Sequence, residues 1–516
     1  MIGSQSAPAV RVTVTKSFTP KMDATPAAAN TSLAKGSASA AAALAKLMVL
    51  PKVASSWNRS ALGFGDGWGV AVAMGDGNHT RQIAGAATAG LPSRFGGVTG
   101  RYWVETLGCP KNQVDSDKLT GTLEVDGMSA AASPAEADVV VVNTCAFIEA
   151  ARQESVDTVL ALAGAKAAGA RLVVTGCMAE RYGDELAAAL PEVDRVAGFG
   201  VPVTLGRKAV PTLDLLNLPR PKSVRPWAYV KIAEGCDRSC GFCAIPSFRG
   251  PQRSRTASAL LAEVDFLAAA GVQEVVLVAQ DLAAYGRDRG GPLSADQRIV
   301  PLVEEVAKRV PWTRLLYLYP SDLSDGLIEV IGSRTGVAYY DLSLQHVSKP
   351  LLRAMRRWGD GERFLDRIGD IRARFPDAAL RSSFIVGYPG ETEADHDLLL
   401  SFLAEARLDW VGLFAYSAEE GTHAAKLGGA VPAGLAAERL AEARALVDEQ
   451  TAVLRQERVG EVVEVLVDAP GVARSPREAP EIDGSGQVPE ALPVGAFAKV
   501  EVVGVEGPDL YARVAS

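Results

Sequence analysis

Cys236, Cys240 and Cys243, spaced C-x3-C-x2-C in the segment GCDRSCGFC, constrain this chain more than any other feature. They directly follow an apolar stretch at 228–232 that reads as a strand, so three thiols leave one strand end for one place. Three thiolates in such a loop can ring three irons of a 4Fe–4S cube and leave the fourth iron without a protein ligand. A cofactor or substrate could chelate that open iron. Zinc is the alternative, but structural zinc takes four ligands. No fourth Cys or His stands near, His346 being the nearest histidine.

The other three cysteines, Cys109, Cys145 and Cys177, are far apart in sequence but share one context. Each follows an expected strand, in ETLGCPKN, VVNTCAF and VVTGCMAE. Strands over 102–107, 138–143 and 172–175 alternate with helices over about 115–125, 149–168 and 180–190, the pattern of a parallel α/β sheet. The unbroken apolar run in DVVVVN is that of a strand covered on both faces. In an open α/β sheet the carboxyl ends of the strands form the functional crevice, so these thiols can converge and hold a second cluster. Two alternatives stand beside this. Buried cysteines are common as small apolar residues, and six cysteines permit fifteen disulfide pairings. The grouping in threes, and a start that does not read as a secretory signal, count against disulfides.

Beyond a Pro-rich linker at 218–226 the alternation restarts. Strands are expected at 228–232, 274–278, 314–318, 340–344, 380–386 and 410–416, with helices near 257–270, 300–309, 350–357, 362–374 and 392–406. Six β/α repeats suggest a complete or partial β/α barrel, whose functional residues lie in loops at the carboxyl ends of strands. A long helix over 435–458 leads to alternating strands at 462–467 and 497–505, joined by Pro/Gly-rich connections such as 470–480. That reads as a small antiparallel barrel or sandwich. The chain thus divides into 1–99, 100–217, 218–455 and 456–516. The first segment holds nine Lys/Arg against Asp23, Asp66 and Asp76, with no Glu and no sustained apolar period. It is expected to be disordered. A dispensable extension or a start codon placed too far upstream is favoured over an organelle leader. No transmembrane helix is expected, and the cytoplasm is the expected location. A net charge of −8 argues against a protein that coats nucleic acid broadly.

C-x3-C-x2-C after the first strand of a six-repeat barrel resembles the radical S-adenosylmethionine (SAM) superfamily. The resemblance implies that SAM chelates the open iron and is cleaved by one electron to a 5′-deoxyadenosyl radical. With the strand-end cysteines before the barrel and the small β domain after it, residues 100–516 resemble the methylthiotransferase family. That implies two 4Fe–4S clusters, an auxiliary one handling the inserted sulfur, SAM as both methyl and radical source, and an electron donor.

Members of that family modify an adenosine of tRNA or an aspartate of a ribosomal protein. The stretch LGCPKNQVDS is similar to the ribosomal-protein branch, whereas tRNA enzymes usually show a Gln-Met-Asn type of sequence after this cysteine. Ala244-Ile245-Pro246 with Arg249-Gly250 and Ser254-Arg255, Ala279-Gln280-Asp281, Leu344-Gln345-His346, and Tyr416-Ser417 with Glu419-Glu420-Gly421-Thr422 also resemble it. From Gln456 onward there are eleven Asp/Glu against five Lys/Arg. This segment resembles the TRAM domain, often an RNA binder, but an acidic version repels phosphate and attracts a basic protein. A solvated acidic face without a partner is the plain alternative. The expected reaction is methylthiolation of the β-carbon of an aspartate in a basic small-subunit ribosomal protein, on or off the ribosome. The tRNA reaction comes second, and a non-catalytic metal-binding RNA- or ribosome-associated factor third.

Further candidates lie at barrel strand ends. Gln280 and Asp281 could bond the cofactor's polar groups. Gly387, Pro389 and Gly390 resemble a SAM-contacting stretch, although a strand-to-helix turn capped by Thr392 accounts for them equally well. His346 could orient substrate or pass a proton, or be a satisfied core histidine. Arg249 and Arg255 could pair with a substrate carboxylate, or be solvated arginines.

Overall fold

Val140, Val141 and Val142 are completely buried, each contributing about 1.5–3 kcal/mol by leaving water, and they form the middle of the first sheet. The computed structural model describes residues 100–199, 215–292 and 296–515; the expectations for 1–99 lie outside them. Five parallel strands, β1 (Arg101–Thr106), β2 (Ser129–Ala130), β3 (Val139–Thr144), β4 (Arg171–Gly176) and β5 (Arg195–Ala197), stand in the order β2-β1-β3-β4-β5. The crossovers between them include α1 (Pro110–Val125), α2 (Glu149–Ala165) and α3 (Cys177–Ala189). Helix α1 starts earlier than its apolar period suggests, because Pro110 suits the first helical turn and Cys109 occupies the cap.

The second unit has two three-stranded parallel sheets. The first orders β10 (Trp312–Leu315), β9 (Glu274–Val278) and β6 (Trp227–Lys231). The second orders β11 (Tyr339–Gln345), β12 (Ala379–Val386) and β13 (Trp410–Ala415). A single parallel bridge, Leu318 to Leu342, joins them into a six-stranded partial barrel. The ladder is interrupted beside it because Tyr317 has φ 67°, a region where non-glycine residues are uncommon. The short pair β7 (Ala233–Glu234) and β8 (Arg253–Ser254) brackets the C-x3-C-x2-C loop. Within that bracket sits α4 (Ile245–Arg249); the barrel's outer helices are α5 (Ala257–Ala269), α6 (Asp296–Ala307), α7 (Asp325–Arg334), α8 (Lys349–Ala354), α9 (Gly361–Arg374) and α10 (Glu393–Ala406). Helix α7, absent from the sequence-based expectation, is started by Ser324, whose side chain accepts from the Leu327 amide.

Helix α11 (Ala433–Gln456) leads to a closed barrel of β14 (Val462–Ala469), β15 (Val472–Arg474), β16 (Gly486–Gln487), β17 (Phe497–Glu506) and β18 (Asp509–Val514). All its pairs are antiparallel except β16–β18. The segment between β15 and β16 does more than connect strands. It fills the amino-terminal floor of the large barrel, where Ala479 packs with Trp227, Tyr229, Tyr339 and Trp410. Tyr229 donates to the Pro480 carbonyl at 2.7 Å, and Trp410 Nε1 to the Arg477 carbonyl at 2.6 Å. Glu274, fully buried on β9, pairs with Arg314 and with Arg474, each at 2.7 Å. No helix of the described residues is long and apolar enough to cross a membrane.

Candidate functional site

Cys109 caps α1, Cys145 directly follows β3, and Cys177 opens α3, so all three thiols stand at one edge of the first sheet. Their loops are drawn together. A Cβ added at Gly108 (φ 92°) would lie 2.9 Å from the Cys145 sulfur, so only glycine fits beside Cys109. Asn112 is fully buried and holds the three loops at once. Its Nδ2 donates to the Leu107 and Thr144 carbonyls at 2.8 and 3.1 Å, and its Oδ1 lies 3.5 Å from the Cys177 sulfur. Burial raises the Cys145 and Cys177 thiols, and the neighbouring cysteines raise Cys145 further. Burial also works against the Cys109 thiolate, but Lys111 and Arg249 overcome it and hold that thiol below its ordinary value. Helix N-termini favour thiolates as well.

The barrel triad is equally enclosed. Burial pushes Cys236 up to about 11 and Cys243 up to about 12. The loop is tied down by Gly241, whose amide donates to the Met355 carbonyl at 2.8 Å and whose carbonyl accepts from Ala424 at 2.7 Å. Arg357 approaches the Cys240 sulfur at 3.5 Å. All six cysteines are free thiols. No group of three or more His, Cys, Asp or Glu among the described residues is set to hold a metal ion at a common point. A cube offers each thiolate a separate iron, so its cysteines need only ring it.

Polar atoms around the barrel triad are buried without protein partners, as a site for a polar ligand requires. These are Gln280 Oε1, Asp281 Oδ1 and Arg357 Nε; His346 Nε2, just past β11 and near Asp395 of α10, is likewise buried without a partner. Gln280 donates its Nε2 to Glu234 at 2.7 Å, and Asp281 pairs with Arg238. The guanidiniums of Arg238 and Arg357 lie 3.8 and 4.0 Å from the ring centre of Tyr319. His346 Nδ1 accepts from the Ser348 amide at 3.0 Å, which assigns the ring proton to Nε2. Burial holds its pKa down to about 4, so the ring is neutral.

The glycine turn has a local explanation. Gly387 (φ 82°) would drive a Cβ to within 2.8 Å of Ala436 on α11, while Gly390 (φ 88°) faces open space and Pro389 joins them. Thr392 and Asp395 form a capping box on α10.

The two arginines expected to meet a substrate carboxylate are placed otherwise. Arg255 is buried, bonding Glu263 at 2.6 Å, Asn217 at 3.0 Å and the Lys231 carbonyl at 3.2 Å. Lys118 and Arg220 share Glu263, so this group closes the junction between the units. Arg249 is also buried and bonds Glu234, Asp115, Asn112 and the Cys177 sulfur. Both have their donors committed inside the protein. Two residues that spacing did not reveal also stand at the site. Lys111 Nζ lies 3.3 Å from the ring centre of Tyr317 beside Cys109. Glu419 accepts from Arg152 and Arg181 at 2.6 and 2.7 Å, clamping the first unit onto the barrel.

Three family models match this chain: "Uncharacterized protein family UPF0004" over 101–198, the radical SAM superfamily over 230–403 and the TRAM domain over 459–515. Among curated relatives, the ribosomal protein uS12 methylthiotransferase RimO of Moorella thermoacetica is 42% identical, covering 78% of this chain and 96% of that protein. RimO of Anaeromyxobacter sp. is likewise 42% identical, over 80% of this chain and 93% of that protein. Among solved structures, the radical SAM methyltransferase TsrM from Kitasatospora setae is 13% identical, with a TM-score of 0.42 over 61% of this chain and 72% of that one. A chain that matches such relatives over nearly their whole length, with the barrel and the C-terminal domain in place, belongs to the RimO family of radical SAM methylthiotransferases.

Proposed function

We propose that this protein methylthiolates the β-carbon of an aspartate in ribosomal protein uS12, using two 4Fe–4S clusters, SAM and an external electron donor. The observation that carries the reading is the pair of thiol triads, each at strand ends and each with an arginine donor on one sulfur, Arg249 on Cys177 and Arg357 on Cys240. Cys236, Cys240 and Cys243 would hold the radical-generating cluster; Cys109, Cys145 and Cys177 would hold the auxiliary one. When bound, the first group with SAM supplies one-electron cleavage, and the second supplies a place for the sulfur to be inserted.

The chain's own part is orientation and exclusion of water. Gln280 and Asp281 present unpaired buried oxygens, suited to the amino and ribose groups of a cofactor. His346 presents a neutral Nε2–H, a donor that stays uncharged near pH 7. Gly390 leaves room for close backbone approach. Curated relatives of this chain are named for uS12, and its own C-terminal barrel keeps exposed acids such as Glu464 and Glu490, which suit a basic protein better than RNA.

Anaerobic reconstitution with SAM, reductant, purified uS12 and bulk tRNA, followed by mass spectrometry of both, tests the reading. A methylthio group on one uS12 aspartate is expected. A mark on tRNA adenosine alone would overturn the substrate, and zinc in place of iron would overturn the chemistry.

A further inference from the structure

Helix α4 ends on Arg249, which extends from the barrel's cysteine loop into the other unit's triad. Its side chain is 3% exposed. Nη1 meets both Glu234 oxygens at 2.9 Å. Nη2 reaches Asn112 Oδ1 at 2.7 Å, the Cys177 sulfur at 3.0 Å and Asp115 at 3.1 Å. Glu234 immediately precedes Gly235-Cys236, and it also accepts from Gln280 and from the Gly235 amide. Two cations balance Glu234 and Asp115, since Lys231 bonds both as well. Of these two, Arg249 is the one bonded to a thiol. Ion pairing alone does not require that contact.

We propose that Arg249 is a positioning residue that raises the reduction potential of the cluster held by Cys109, Cys145 and Cys177, by donating to the Cys177 sulfur while anchored on the Cys236 loop. The inference rests on the reading of that triad as a cluster site. A donor on a coordinating sulfur draws off electron density and favours the reduced, more negative cluster. Burial strengthens the effect. Arginine's planar fork serves Glu234 and Cys177 together, which a lysine cannot do. A change at the loop of one triad would thereby reach the electron affinity of the other.

The test uses the full chain carrying Cys236→Ala, Cys240→Ala and Cys243→Ala, reconstituted anaerobically with iron and sulfide, so that only the auxiliary cluster signals. Redox titration followed by electron paramagnetic resonance reads its midpoint. Arg249→Gln is expected to lower that midpoint, and Arg249→Lys to lower it less, since charge remains while the fork is lost. An iron-loaded variant of either kind titrating at the parent's midpoint overturns the proposal. Failure of both variants to load iron, while the parent loads it, overturns the proposal as well, since Arg249 would then serve assembly or folding of the site rather than its potential. If the parent takes up no iron, the cluster reading fails first, and separately.

Discussion

Arg152 and Glu419 meet at 2.6 Å although one lies on α2 of the first unit and the other beyond the last strand of the barrel. Glu419 is 2% exposed and shared with Arg181. Removing one partner of a buried pair leaves uncompensated charge, at a cost of roughly 3–5 kcal/mol. Glu419→Gln is therefore expected to lower the urea midpoint of the full chain markedly. A denaturation curve that overlays the wild type would show that the clamp contributes nothing.

Asn112 touches all three loops of the first triad. Asn112→Ala strands the Leu107 and Thr144 carbonyls, costing about 1–3 kcal/mol, and frees the loops from one another. Reconstituted variant protein is expected to bind roughly half the wild-type iron, keeping one of two clusters. Full iron content by colorimetric assay would remove Asn112 from the assembly of the site.

His346 makes the protein acid-sensitive. Its folded pKa of about 4 lies below the ordinary 6.5, because burial and then His396 disfavour the charged ring, while Asp395 opposes them. A depressed pKa stabilises above pH 6.5, and that contribution is lost as pH falls through 4. At full size the loss is roughly 3 kcal/mol. The stability of His346→Gln relative to wild type should rise over this interval, read by denaturation at pH 7, 5.5 and 4. A constant difference would mean that the ring does not titrate as its burial demands.

The C-terminal barrel is not expected to be separable. Deleting 459–516 uncovers Trp227, Tyr229, Tyr339 and Trp410 and leaves Glu274 and Arg314 without Arg474. The remaining 100–458 should aggregate or melt without a cooperative transition. A sharp, reversible calorimetric transition would show that the large barrel closes unaided.

The placement of the cysteines is legible because it depends on local signals: apolar runs such as 139–142 mark buried strands, and the thiols lie in the loops just past such strands. Helix α7 was missed although Ser324 offered a cap, since two glycines weaken the apolar period of DGLIEVIGSR. The sequence leaves Arg249 and Arg255 open to a substrate carboxylate or to solvent, and nothing local in it signals their burial. Their partners Asp115, Glu234, Asn217 and Glu263 come from elements that meet only once the two units have packed. The segment after β15 looked like a connection for the same reason. Its one available signal is the charge at Glu274, Arg314 and Arg381, each the single charged residue of a buried strand and so in need of a partner from elsewhere.

The floor under the large barrel is supplied by a segment synthesised after all six of the barrel's own strands. At roughly 5–20 residues per second, Arg474 leaves the ribosome on the order of 10–50 s after Cys236. During that interval Glu274 and Arg314 lack their final partner, and the three barrel thiols sit above an unfinished base. Oxygen and metal therefore meet an immature barrel before they meet the finished one, so the order of chain completion and iron delivery becomes part of how this protein is made.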